Sequence, residues 1–191
     1  MKNIKKVRGK KIVIGFVGLL ASGKGTVAKY LEEKYSADTY RFSTMLRDLC
    51  YRIYIEQSRV NLIKMSEIIR GTFGENTMAR VMAHDVEKAD NNIVIVDGIR
   101  RMADIEYLSK LPNFVLVEIF AESKTRYDRL TKRGENPDDN TKTYEQFLED
   151  HKRSTEISIP EVASYATEKI DNNGSLEELC KQLDKLIEKY I

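Results

Sequence analysis

The chain has 191 residues, 41% of them hydrophobic and 32% charged, with a formal net charge of +2. That length suits one domain with small inserts and a sizeable core. The balanced charge excludes a strong global field, so anion binding falls to local basic clusters. Cys50 and Cys180 match no metal or redox spacing, and His84 and His151 are too few and too far apart for a zinc site.

Lys2, Lys5, Lys6, Arg8, Lys10 and Lys11 precede an apolar run from Ile12 to Ala21. A basic head before an apolar run resembles a signal peptide. Gly15 and Gly18 break this run, however, and it leads into Ser22-Gly23-Lys24-Gly25-Thr26, which a phosphate loop explains and a signal peptide does not. No other stretch approaches the ~20 apolar residues of a membrane span. A cytoplasmic protein with no membrane partner is expected.

Ile12 to Val17 is a short β-branched run suited to a buried parallel strand. A loop follows to Gly25, then a helix from Thr26 to Tyr35 with Val27, Tyr30, Leu31 and Tyr35 near one face. Thr39 to Phe42 reads as a second strand. Thr44 to Ala89 is mostly helical, broken near Ser58 and at Gly71 to Gly74. Ile93 to Val96 is a strand ending at Asp97, and a helix runs from Met102 to Lys110. Phe114 to Phe120 is another buried strand, and Ser123 is expected to cap a helix reaching Arg133. Gly134 to Asn140 is a polar loop, Tyr144 to Arg153 a helix, and Glu168 to Ile170 a last short strand. After the turn Asn172-Asn173-Gly174, Ser175 and Glu178 form a capping box. The final helix is expected to bury Leu176, Leu179, Leu183, Leu186 and Ile187.

Strands alternating with helices predict an α/β fold, with five parallel strands flanked by helices and ligands at the carboxyl ends of the strands. The segment Gly18-Leu19-Leu20-Ala21-Ser22-Gly23-Lys24-Gly25-Thr26 lies between a strand and a helix, the context of a P-loop. Glycines let the backbone wrap a phosphate, the helix N-terminus adds positive dipole, and Lys24 neutralises the transferring charge. The nucleotide contacts expected here are Gly18, Ala21, Ser22, Gly23, Lys24, Gly25 and Thr26.

The Gly-Lys-Gly-Thr order resembles adenylate and cytidylate kinases. Over nearly the whole chain the sequence resembles the nucleoside monophosphate kinase group of P-loop proteins, especially adenylate-kinase-like and deoxynucleotide-kinase-like members, which in turn resemble dephospho-coenzyme A kinase. The resemblance implies ATP as phosphoryl donor, Mg²⁺ as cofactor held largely through water, and a small phosphorylated acceptor. Thr26 is assigned to phosphate contact. Phe42 to Arg47 resembles the start of the acceptor-binding helix, with Ser43 and Thr44 near base or ribose and Arg47 on the acceptor phosphate. Arg59 to Ala79 resembles the acceptor-covering insert, with Arg70 and Gly74 its most recognisable part and Arg70 placed at the acceptor. Asp97-Gly98-Ile99-Arg100 resembles Asp-Gly-x-Pro-Arg without the proline. Asp97 would orient waters on Mg²⁺ or a group of the acceptor, and Arg100 would clamp the acceptor phosphate. By the same resemblance Arg129 lies near adenine, Arg133 near the transferring phosphate, and Asn173 with Gly174 wraps adenine. Lys24, Asp97, Arg100 and Arg133 are the expected catalytic set.

The implied organisation is a single domain, 1–191, with its core in 11–43, 92–125 and 165–191. An acceptor insert spans 44–90 and a short lid 126–155. Like charges on Arg126, Arg129, Arg133 and Arg153 would hold the lid open until phosphates draw it in, and Lys152 with Arg153 would contribute charge when it closes. Two other readings stand. Dephospho-coenzyme A kinase would want a carboxylate base near the acceptor, sought at Asp38. An RNA-associated ATPase or nucleotide switch would use the basic tail on nucleic acid, against which no base-stacking aromatic platform is evident. The acceptor base and sugar stay open, as does the choice of monomer or small homo-oligomer.

Overall fold

The computed structural model describes residues 11–133, 139–152 and 156–191. The basic tail and the polar loop at 134–138 lie outside the described residues. Five strands, β1 (Ile12–Val17), β2 (Asp38–Arg41), β3 (Ile93–Ile99), β4 (Phe114–Phe120) and β5 (Glu168–Asp171), form one parallel sheet in the order β2-β3-β1-β4-β5. Helix α1 (Lys24–Tyr35) follows β1. Helices α2 (Phe42–Arg52), α3 (Arg59–Phe73) and α4 (Thr77–Lys88) lie between β2 and β3. Next come α5 (Met102–Ile105), α6 (Ser123–Arg133), α7 (Tyr144–Asp150), α8 (Ile159–Ala163) and α9 (Leu176–Tyr190). Among the described residues no helix is long and apolar enough to cross a membrane.

The sheet is central because its strands are apolar on both faces, as parallel strands covered by helices must be. Along β1, Ile12, Ile14 and Phe16 pack with Val27 and Leu31 of α1 and Leu179, Leu183 and Ile187 of α9. The alternate residues Val13 and Val17 pack on the other face with Phe42, Met78, Met82, Val86, Ile159 and Val162. This period of two carries the chain into a three-layer sandwich whose strand ends point one way.

Several elements depart from their sequence-based bounds. β3 continues past Asp97 to Ile99, and α2 begins at Phe42 directly after β2. Helix α3 runs through Gly71 and stops at Gly74, whose φ of 106° breaks it. The helix expected over 102–110 is the single turn α5 followed by a 3₁₀ turn at Leu108–Lys110. Ser123 lies inside α6: the Arg126 N–H donates to the Glu122 carbonyl at 2.9 Å, which puts the cap at Glu122. Helix α7 ends at Asp150, and α8, with Pro160 in its first turn, was not anticipated. The capping box of α9 is present, but Leu176 is 62% exposed, since the first helical residue stands clear of the sheet.

Candidate functional site

The loop between β1 and α1 sits at the carboxyl ends of the strands. Ala21 (φ 61°) and Gly23 (φ 102°) take left-handed backbone that turns the chain sharply into the helix. A Cβ on Gly23 would lie 2.1 Å from Asn172 Nδ2. That amide donates to the Ser22 carbonyl at 2.8 Å, while the Asn172 N–H donates to the Phe120 carbonyl at 2.8 Å. Buried Asn172, just past β5, therefore clamps the loop against β4. Helix geometry leaves the first N–H groups of α1 at Lys24, Gly25 and Thr26 without intrahelical acceptors, and the latter two residues are exposed.

Lys24 bends back over the loop and donates to the carbonyls of Gly18 at 2.5 Å and Leu19 at 3.2 Å. Burial lowers its pKa from 10.5 to about 8; nearby Asp97 and Glu156 raise it, and Arg100 and Arg126 lower it further. Groups from β3, α6 and the approach to α8 thus act on one ammonium.

Half-buried Asp97 is placed by β3 and paired with Arg41 Nε at 3.4 Å. Arg100 follows Gly98, whose φ is 89°. Its N–H donates to Asp104 Oδ2 at 3.0 Å, its carbonyl accepts from Ser158 Oγ at 2.7 Å, and its exposed guanidinium lies 4.0 Å from Glu156. Buried Glu156 in turn accepts the Leu20 N–H at 3.0 Å, so a carboxylate rests on the loop.

From α6, Arg126 is buried and its pKa is lowered by burial. It donates to the carbonyls of Ala121 (3.0 Å) and Leu20 (3.2 Å), and its Nη1 lies 2.7 Å from His151 Nε2. Tyr127, Tyr144 and Phe147 pack α7 onto α6, with the Arg126 guanidinium 5.3 Å from the Phe147 ring centre. The expectation that like charges repel here fails for Arg126, whose charge is turned into the loop and shielded by the aromatic cluster. Arg129, half-buried, donates to Asn172 Oδ1 at 3.5 Å, and its buried Nη1 finds no acceptor among the described residues. Arg133 closes α6, but its side chain lies outside the described residues, as does Arg153.

Ser43, Thr44 and Arg47 fall in the first two turns of α2. Arg47 is exposed and donates to the Gln57 carbonyl at 3.4 Å. Arg70, expected at the acceptor, is instead buried in an ion pair with Asp104 at 2.7 Å. Asn173 accepts the Glu122 N–H at 2.8 Å and Gly174 faces Glu178, so both shape the turn before α9. Asn172 was missed although it is the neighbouring residue. Glu156 and Ser158 lay in a stretch without motif or period, and no sequence signal marks them.

A family profile described as AAA domain matches residues 17–145, from the end of β1 into α7. The chain is 29% identical over 179 residues to a UPF0200 protein of Sulfurisphaera tokodaii, covering 94% of this chain and 97% of that one. It is 28% identical over 182 residues to a UPF0200 protein of Methanocaldococcus jannaschii, covering 94% and 91%. Among solved structures, shikimate kinase from Bacteroides thetaiotaomicron matches with a TM-score of 0.63 and 16% identity, over 93% of this chain and 98% of that one. Shikimate kinase from Acinetobacter baumannii in complex with shikimate matches with a TM-score of 0.54 and 16% identity, over 94% and 92%. The fold is that of P-loop kinases.

Proposed function

We propose, for a chain that belongs to the AAA domain family and carries a P-loop kinase-like fold, that it transfers the γ-phosphate of ATP to a nucleoside monophosphate in the cytoplasm. The observation that carries the reading is the phosphate loop with the charged groups gathered on it: Lys24 on the Gly18 and Leu19 carbonyls, Glu156 and Arg126 both on Leu20, and Arg100 4.0 Å from Glu156. Phosphoryl transfer needs positioning and charge neutralisation more than a protein nucleophile, and that is the chemistry these groups supply.

In this reading the ATP phosphates rest on the backbone of Ala21 to Thr26, and Lys24 leaves the Gly18 and Leu19 carbonyls to neutralise them. The unpartnered donor of Arg129, beside Asn172, is available to the nucleotide, with Asn173 and Gly174 bordering the same end of the sheet. Arg47 and Arg100 hold the acceptor phosphate, with Ser43 and Thr44 beside the base or ribose, and Arg133 reaches the transferring phosphate. Residues 44–90 form the acceptor insert and 126–155 the lid. Among the described residues no three His, Cys, Asp or Glu side chains are grouped to hold a metal. In this reading Mg²⁺ would screen the phosphate charge, and Asp97 at the end of β3 is the carboxylate that would orient its water.

The dephospho-coenzyme A reading loses its base. Asp38 opens β2 and accepts from Asn91 Nδ2 at 2.8 Å, at the amino end of the sheet and away from the loop. Any hydroxyl acceptor, that of dephospho-coenzyme A included, would have to take its carboxylate base from Asp97, paired with Arg41, or from Glu156, which accepts the Leu20 N–H. The deciding experiment offers ATP and Mg²⁺ with a panel of NMPs, dNMPs, dephospho-coenzyme A and shikimate, and measures ADP and phosphorylated product. One or more NMPs or dNMPs should be converted. Conversion of shikimate or dephospho-coenzyme A alone, or ADP release that rises only with RNA, would overturn the proposal.

A further inference from the structure

The buried pair Arg70–Asp104 joins the insert to the end of β3. Asp104 Oδ1 accepts from Arg70 Nη2 at 2.7 Å, and its Oδ2 accepts the N–H groups of both Arg100 and Arg101 at 3.0 Å. Arg70 and Asp104 are 7% and 2% exposed. The break of α3 at Gly74 brings the Glu75 carbonyl to Arg70 Nη1 at 2.6 Å, and the Glu75 carboxylate lies 3.3 Å from Arg101. Arg70 belongs to α3, while Arg100 and Arg101 belong to the strand exit.

Desolvation offsets most of the attraction in a buried ion pair, so such a pair is a weak source of net stability. What it fixes is direction. The planar guanidinium holds one edge of the Asp104 carboxylate, and the other edge holds the backbone from which the Arg100 side chain leaves. Ile99, fully buried and in register with Val17, fixes the strand up to the residue before Arg100, and the Asp104 contacts set the backbone beyond it. Ser158 holds the Arg100 carbonyl from the opposite side.

We infer that Arg70 and Asp104 are positioning residues that aim Arg100 at the acceptor phosphate and tie that aim to the seating of α3. The role assigned to Arg100 rests on the proposed function; the anchoring of its backbone does not. Closing the insert over an acceptor and aiming the clamp become one event, which sharpens discrimination against molecules too small to hold α3 down.

Two variants test this, Arg70→Met and Asp104→Asn, the second keeping an oxygen for the N–H groups while losing the charge. In ligand-free protein, amide exchange at Arg100 and Arg101 should quicken at least tenfold in both, while β1 amides keep wild-type rates; Arg70→Lys should restore part of the protection. Unchanged exchange at Arg100 and Arg101 in the folded variants overturns the inference, whatever the acceptor proves to be. In turnover, Arg70→Met should raise the acceptor KM about tenfold with the directly measured ATP Kd within about twofold, and should add nothing in an Arg100→Ala background. Full additivity with Arg100→Ala would reduce the pair to a structural tie and overturn the inference. If wild type converts no nucleotide, the proposed function fails, and the exchange measurement still decides the positioning.

Discussion

Lys24 shows how one residue sets function against stability. Its ammonium is held by two loop carbonyls in a half-buried setting, and desolvation there lowers its pKa to about 8. Below pH 8 the group is charged in both folded and unfolded chains, and the fold bears the full cost of burying it. Between pH 8 and 10.5 the unfolded chain binds more protons, so stability rises with pH across that window. Lys24→Met should therefore raise Tm at pH 7, with the gain shrinking by about pH 10.5, and should cut kcat by more than tenfold. Retention of more than a tenth of kcat, a barrier change of only ~1.4 kcal/mol, would remove Lys24 from the transfer step. The same titration predicts that kcat/KM for ATP falls above pH 8, toward tenfold per pH unit, as the lysine loses its charge in free enzyme. Lys24→Arg should abolish that limb, since a guanidinium stays protonated. A basic limb that survives in Lys24→Arg would assign it to another group.

Elements carry these groups into place, and α6 with α7 does so through aromatic packing. Phe147 is fully buried against Tyr127 and Tyr144, its ring 4.9 Å from His151 and beneath Arg126, which holds the Leu20 carbonyl. Phe147→Ala should cost about 3 kcal/mol of stability and weaken ATP several-fold, because Arg126 and His151 lose their floor. Calorimetry and ATP titration check both, and lost stability with unchanged ATP affinity would separate the cluster from the loop. The elements that could be read from sequence are those with local causes. β1 and β4 announce themselves by apolar runs, the loop by its glycines, and the start of α9 by its capping box. What could not be read depends on partners distant in the chain. Arg70 finds Asp104 far along it, and Glu156 meets the loop from a segment with no period. Ser123 spends its hydroxyl on Tyr144 at 2.7 Å instead of on a cap. Asn172, not Asn173, meets the loop because the turn after β5 sends successive side chains in different directions.

At the scale of the molecule, stability is unevenly spread. The sheet is closed on both faces by apolar side chains from α1 and α9 on one side and from α2, α4 and α8 on the other. The insert is different: α3 buries Leu62, with Met65 and Ile69 half-buried, but leaves Val60, Ile63, Ile68 and Phe73 open, and Tyr54 projects just before it. A segment with so little apolar burial should open without unfolding the rest. In mild denaturant, amides of α3 should exchange through a local opening whose free energy lies below that of β1 and β3, which should exchange only through global unfolding. A bisubstrate analogue joining adenosine through phosphates to the acceptor nucleoside bridges the loop and the insert, and its binding energy is linked to the closed form alone. It should raise the opening free energy of α3 toward the global value and protect α7 as well. ATP alone should protect residues 18–26 while leaving α3 close to its free behaviour. If α3 is already as protected as β3 in free protein, the insert is a fixed wall of the site and acceptor binding has nothing to close; if ATP alone closes it, the closure belongs to the donor and not to the acceptor.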